Sequence, residues 1–395
     1  VAVVTDLRDS HVIFVDGLLN EEEINTMHSA RHVFALLALL AFTALAPVSA
    51  QDAPPSITLT LAGYAVPREA YGDVIPLFQA YWLEQTGQQV IILESYQASG
   101  AQSRAIEGGF EADIAALSIE PDITRLVDAG LVSADWKDDN PYQGFVSDSL
   151  VVLAVRPDNP RNIAEWVDLA QEGVEVITPD PATSGGAQWN ILGAYGAARR
   201  GFVPGYEGEE GAVEFLRALA ANIAVLDRDG RESFLTFERG IGDVAITYEN
   251  EVYAGILAGS EYNIVYPTST LLIENPVALV DTYVDAHGTR EVAQAFLDFL
   301  SSPDAQRVFA NHGFRPVNPI VSAELGVPAP YEATEEAEAT AEAAPSTIEH
   351  DPLILFPAVE DQFTVAEFGG WSEARSTVFG DEGLFTQIIA EVQGQ

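Results

Sequence analysis

The run Thr178-Pro179-Asp180-Pro181-Ala182-Thr183-Ser184-Gly185-Gly186-Ala187-Gln188-Trp189-Asn190 has the residue types and spacing to hold an anion. It follows an apolar, strand-like stretch, Val174 to Ile177, and leads into a helical pattern that continues to Arg199. A Ser-Gly-Gly at a helix start presents backbone N–H groups with no partner inside the helix. Without Cβ atoms an anion can approach that backbone closely, and the helix dipole adds about half a positive charge there. Phosphate and sulfate groups bind at such termini. Taken alone, the segment also reads as an ordinary Ser-capped helix with two permissive glycines.

These residues need a scaffold of strands and helices behind them. From Ile57 onward, short apolar strands alternate with amphipathic helices, the pattern of an α/β sheet protein. Strands are expected at Ile57–Leu61, Val90–Leu93, Asp113–Leu117, Leu150–Val155, Val174–Ile177, Val244–Thr247 and Val277–Val280. The intervening helices are expected at Glu69–Gln85, Ala101–Glu107, Ile123–Ala129, Ala164–Gln171, Gln188–Arg199, Ala212–Asn222, Glu232–Arg239 and Val292–Leu300.

Composition excludes several function classes. The 395 residues carry a formal charge of −42, with a single lysine, Lys137, so clustered basic residues for a nucleic acid are absent. An anion site inside so acidic a chain is not a contradiction. The Debye length at physiological salt is about 8 Å, so a cleft responds mainly to its own oriented N–H groups. There is no cysteine, which removes disulfides, thiolate metal sites and thiol nucleophiles. His287, His312 and His350 are not at metal-ligand spacing from one another and read as surface or loop residues. No metal or cofactor is expected. For an enzyme the sequence offers no Gly-x-Ser-x-Gly elbow and no Walker sequence. Gly240-Ile-Gly242-Asp-Val-Ala245 imitates a dinucleotide fingerprint, but helix precedes it and strand follows, the reverse of the required order.

Several further blocks accompany the Ser-Gly-Gly segment in a definite order. They are Tyr64 with Pro67-Arg68-Glu69-Ala70-Tyr71; Ser95 with Ser99-Gly100-Ala101-Gln102; and Ala112-Asp113-Ile114 through Asp122-Ile123. Glu238 to Val244 follows, leading to Tyr248-Glu249-Asn250-Glu251, then Phe314-Arg315-Pro316 and Phe368-Gly369-Gly370-Trp371. Together they resemble the periplasmic sulfate- and thiosulfate-binding proteins, receptor components of ABC importers, over nearly everything from Ile57 to the C-terminus. The resemblance implies a two-lobe, hinge-linked periplasmic binding protein fold of type II, each lobe a mixed sheet flanked by helices. It places lobe I at 51–155 plus 271–395 and lobe II at 156–270. It implies a monomeric receptor that binds sulfate, thiosulfate or a related oxyanion such as molybdate or phosphate, and works with membrane permease subunits. A sensory domain on the same fold and, least favoured, a phosphoryl- or sulfuryl-handling enzyme are the alternatives.

Carried over residue by residue, the resemblance makes Ser99 a backbone donor, Ser184 a hydroxyl donor and Gly185 and Gly186 amide donors. Gly230, within Asp229-Gly230-Arg231, becomes a further amide donor, although alone it reads as a turn glycine. Tyr248 stands where the family has an indole donor. Two other positions depart from the pattern: Ala65 where the family has Asp, and Gln188 where it has a supporting Arg. Backbone amides favour a fully ionised anion such as sulfate, and a carboxylate facing the cleft would favour a protonated one.

Near the N-terminus, Met27 is followed by Arg31 and His32, an apolar run from Val33 to Leu45, and the small residues Val48-Ser49-Ala50. This reads as a secretory signal peptide over 27–50, with an uncleaved anchor as the alternative, and implies a periplasmic or extracellular protein. Residues 1–26 then read as an upstream extension. The Glu/Ala/Thr-rich run at 331–346 has no counterpart in the family and reads as a solvated acidic insertion.

Overall fold

In the computed structural model, residues 54–138, 140–332 and 348–394 are described; the segments read as a signal peptide and an upstream extension, and most of the run read as an acidic insertion, lie outside them. The first strand, β1 (Ser56–Tyr64), alternates small polar residues with Leu59 and Leu61, both fully buried. It feeds α1 (Arg68–Thr86), whose Ala70, Tyr71, Val74, Ile75, Phe78 and Trp82 recur at helical spacing and form the buried face. Gly87 in the left-handed conformation ends this helix by returning its N–H to the Leu83 carbonyl.

Next come β2 (Gln89–Gln97), α2 (Ser99–Glu107), β3 (Ile114–Ala116), α3 (Glu120–Asp128) and the long β4 (Phe145–Val155). A second group follows: β5 (Val176–Pro179), α4 (Gly185–Arg199), α5 (Gly208–Ala221), β6 (Ile223–Asp227), α6 (Gly230–Glu238), β7 (Val244–Tyr248) and α7 (Glu249–Leu257). After β8 (Asn263–Val265) the chain runs back through β9 (Ser269–Leu279) into α8 (Asp281–His287), α9 (Arg290–Leu300) and α10 (Pro303–Asn311). A last segment holds β10 (Asp361–Phe363) and ends in α11 (Leu384–Gln393).

The strand order is β2-β1-β3-β9-β4-β7-β5-β6, with β10 beside β9 and β8 beside β4. Parallel pairs lie at the two ends, β1 with β2 and β3, and β5 with β6 and β7. The middle is antiparallel and is made by β4 and β9, each 11 residues long. β4 pairs with β9 over its first half and with β7 over Val151–Val155, so it belongs to both halves of the path.

The segment from Asp361 packs on the β5–β7 half. Arg200 makes a bidentate contact with Asp361 at 2.7 and 3.1 Å, and Trp371 lies edge-on to Trp189 with centroids 4.5 Å apart. The expected strands and helices are present with shifted ends, with one exception. Ala164–Gln171 is not an α-helix; it contains a single 3-10 turn, Trp166–Ala170, held by the Asp168 carboxylate accepting from the N–H groups of Ala164 and Glu165. His287 is exposed, as expected, and it has a buried partner. Its Nδ1 lies 2.9 Å from Oδ1 of the buried Asp113, which raises its pKa.

Candidate anion-binding site

The parallel strands β1–β3 and β5–β7 deliver their carboxyl ends to the same region, and helices start there. β2 leads into α2 at Ser99, β5 into α4 at Gly185, and β6 into α6 at Gly230. In open α/β sheets this is where ligands bind. The three helices therefore point their first N–H groups, unpaired within the helices, toward one small cavity. Its lining is Tyr64, Ala65, Val66, Ala98, Ser99, Ser118, Ser184, Gly185, Gly186, Asp229, Gly230 and Tyr248. All six site residues expected from sequence are among them. About 10 Å³ is open to the centre of a water-sized sphere, so only a small guest suits it.

Each helix start is built locally. Ser184 is the N-cap of α4 and its Oγ accepts the Ala187 N–H at 3.3 Å, leaving the Gly185 and Gly186 amides free of side-chain cover. Gly185 is required by packing, because a Cβ there would sit 2.8 Å from Ser118 Oγ and 3.1 Å from Ile119 Cγ1. Asp229 caps α6, with Oδ1 accepting the Glu232 N–H at 2.9 Å. Its other oxygen faces Arg228 at 3.4 Å, so both carboxylate oxygens have partners on their own chain segment. Ser99 is the first residue of α2, and its hydroxyl donates to Asp122 Oδ2 at 2.6 Å while accepting the Ser118 N–H at 2.9 Å. Burial raises the Asp122 pKa, opposed by the Ser99 hydroxyl and by Arg375, Arg125 and Arg104.

Tyr248 ends β7 and stands at the start of α7, 3% exposed. Its hydroxyl lies 2.8 Å from Ser118 Oγ. Burial raises its pKa far above the ordinary range, so it stays protonated and keeps a hydrogen to give. Tyr64 is also held neutral by burial, and its hydroxyl has no hydrogen-bond partner among the described residues. Behind the site, Arg315 makes a buried two-point contact with Glu249 at 2.7 and 2.8 Å, fixing α7 against the strand crossing where Arg315 and Asp148 exchange backbone hydrogen bonds. The departures from the expected pattern are visible too. Ala65 lines the cavity with a methyl group, and Gln188 turns its amide to the Pro181 carbonyl at 3.1 Å, its oxygen having no hydrogen-bond partner among the described residues.

Ser118 is the polar lining residue that sequence reasoning missed. It lies beyond β3 and gives no signal apart from being a hydroxyl residue at the carboxyl end of an expected strand. Ala98 and Val66, also missed, contribute apolar wall.

Residues 59–315 match the family of bacterial extracellular solute-binding proteins. The chain belongs to that family. It is 38% identical to the sulfate-binding protein of Synechococcus elongatus, over 86% of this chain and 88% of that one. It is 33% identical to the thiosulfate-binding protein of Pseudomonas aeruginosa, over 83% and 90%. Among solved structures, the sulfate-binding protein SubI of Mycobacterium tuberculosis superimposes with a TM-score of 0.66 at 36% identity, covering 82% of this chain and 99% of that one. The fold is thus the α/β periplasmic binding protein fold of type II, and these relatives are binding proteins. Among the described residues no helix is long and apolar enough to cross a membrane.

Proposed function

We propose that the chain is an exported, non-enzymatic receptor that captures one sulfate, or thiosulfate, in this cavity and presents it to the permease of an ABC importer. The observation that carries the reading is the meeting of three helix N-termini, at Ser99, Gly185 and Gly230, around a cavity whose lining contains no Lys or Arg. Hydrogen bonds to a charged group are worth about 1.5–3 kcal/mol each, so five to seven exceed the ~8 kcal/mol of a micromolar complex and leave a margin for desolvation. Asp229 is engaged in capping, which leaves donors as the main chemistry offered to the guest.

The reading divides the molecule into a lobe containing β1–β3 and α8–α10 and a lobe containing β5–β7, with β4 and β9 as the hinge. The C-terminal segment from Asp361 rides on the second lobe, which differs from the division by sequence, where all of 271–395 joins the first. A cleavable signal over 27–50, a monomeric state and a permease partner complete the proposal.

The test is calorimetric titration of the purified protein with sulfate, thiosulfate, molybdate and phosphate. Sulfate or thiosulfate is expected to bind in preference to the others. Preference for phosphate would refute the donor-based site, and no response to any of the four would refute the receptor.

A further inference from the structure

The receptor reading treats the cavity as a set of hydrogen-bond donors. One contact in it is of another kind. Ser118 Oγ and the Tyr248 hydroxyl lie 2.8 Å apart, both buried, across the two halves of the strand path. Either oxygen can be the donor.

The Ser118 backbone is fixed on three sides. Its N–H donates to Ser99 Oγ at 2.9 Å, and its carbonyl accepts from Trp189 Nε1 at 2.9 Å and Asn275 Nδ2 at 3.2 Å. Only the hydroxyl is left to turn. Oγ stands over the start of α4, 2.8 Å from where a Cβ on Gly185 would be, and the Tyr248 hydroxyl is 3.6 Å from the matching point on Gly186. The pair therefore spans the same helix start whose amides face the guest.

We propose that Ser118 determines specificity by positioning Tyr248, and that the two hydroxyls form a reversible hydrogen-bonding unit through which the cavity also tolerates a singly protonated tetrahedral oxyanion. This rests on the reading of the cavity as an oxyanion site. Two hydroxyls carry two hydrogens and four lone pairs. One hydrogen fills the contact between them. Facing a fully ionised guest, the other hydrogen turns inward and the pair donates. Facing a guest that carries a proton, a lone pair of the same unit receives it, which an amide N–H cannot do. The other polar groups are less free. The Ser99 hydroxyl is committed to Asp122 and the Ser118 N–H, Ser184 Oγ caps Ala187, and Asp229 caps Glu232. The Tyr64 hydroxyl is the competing candidate for the same role.

The experiment titrates the wild type and the variants Ser118→Ala, Tyr248→Phe and Tyr64→Phe calorimetrically with sulfate and with phosphate, at a pH where phosphate carries one proton. The wild type is expected to bind sulfate more tightly and phosphate measurably. Ser118→Ala and Tyr248→Phe should each widen the sulfate-to-phosphate affinity ratio at least about tenfold, while sulfate affinity itself falls less than about tenfold. A purely structural role would weaken both anions in proportion and leave the ratio where it was. Two results overturn the proposal: a ratio unchanged in both Ser118→Ala and Tyr248→Phe, whether or not it moves in Tyr64→Phe, or a wild type that binds sulfate but no phosphate. Failure of the wild type to bind either anion would instead defeat the site itself. Equal melting temperatures for the variants show that folding is not the cause.

Discussion

Replacing Gly186 by Asp tests the site with a change small enough to leave the fold intact. Gly186 is not at a positive φ, so a side chain brings no backbone strain. A Cβ placed on it would lie 3.4 Å from Ser184 Oγ, 3.4 Å from Tyr248 Cε1 and 3.6 Å from the Tyr248 hydroxyl, all ordinary contacts. The new carboxylate then stands in the cavity, at the helix start that should receive the anion. Two unit charges about 4 Å apart repel by about 4 kcal/mol at an effective dielectric constant of about 20, and a dianion doubles this to about 8 kcal/mol. That equals the whole free energy of a micromolar complex, so binding should fall below detection. The unliganded fold should survive, because a carboxylate in the first turn gains about 0.3–1 kcal/mol from the helix dipole, which offsets part of the cost of its burial. Thermal unfolding provides the assay. At a thousand times its Kd, sulfate should stabilise the wild type by about 4 kcal/mol, and the Asp variant should show no shift. Gly186→Asn separates charge from bulk and should retain part of the affinity. Wild-type sulfate affinity in Gly186→Asp would refute the placement of the guest at α4.

Two further predictions concern the groups behind the cavity. Glu251 is fully buried, its carboxylate has no hydrogen-bond partner among the described residues, and Arg231 Nη2 is 3.4 Å away. Burial raises its pKa from 4.5 to about 7 against the pull of Arg231. The native state therefore keeps a proton that the unfolded chain has released, and this contribution is present below about pH 4.5 and lost as pH rises through about 7. Glu251→Gln removes the slope and should gain up to about 3 kcal/mol on the wild type between mildly acid and mildly alkaline pH, read by denaturant titration. An equal stability difference at both ends would contradict this. Arg315→Ala leaves Glu249 buried without its charge partner and should cost about 3–5 kcal/mol. A loss under about 1 kcal/mol would mean the pair does not anchor α7.

The helix starts were legible because Ser-Gly-Gly and Asp-Gly leave composition marks, and the strands because their apolar runs are short and bounded. What stayed hidden has physical reasons. β4 begins at Phe145, five residues before its apolar run, because Ser147, Asp148 and Ser149 are buried polar residues within the strand. No periodicity shows that such residues belong to a sheet. β6, Ile223–Asp227, is an end strand of the path and mostly half-buried, so its alternation is weak. Ala164–Gln171 has helical spacing, yet it makes a single turn: Asp168 caps its start and Gln171 is already extended, its N–H returning to the Asp168 carbonyl. Ser118 matters only through partners far along the chain, Trp189, Tyr248 and Asn275, and long-range pairing leaves no local trace.

A site without cationic side chains, divided between two halves of the sheet, also accounts for release on this reading. Ser99 starts a helix in the β1–β3 half, while Gly185, Gly186 and Gly230 belong to the β5–β7 half. Polar contacts across the divide include Ser118 to Tyr248, Trp189 Nε1 to the Ser118 carbonyl, and Arg231 to Glu69 at 2.7 Å. If the halves part, the guest keeps the donors of one side only. Losing two or three charge-assisted hydrogen bonds, at about 1.5–3 kcal/mol each, lowers affinity by at least a hundredfold. A fixed cationic side chain would act over a longer distance and hold the anion through that opening. Helix-end partial charges fall off within the terminal turn, so on this reading capture and release become the same event as closing and opening.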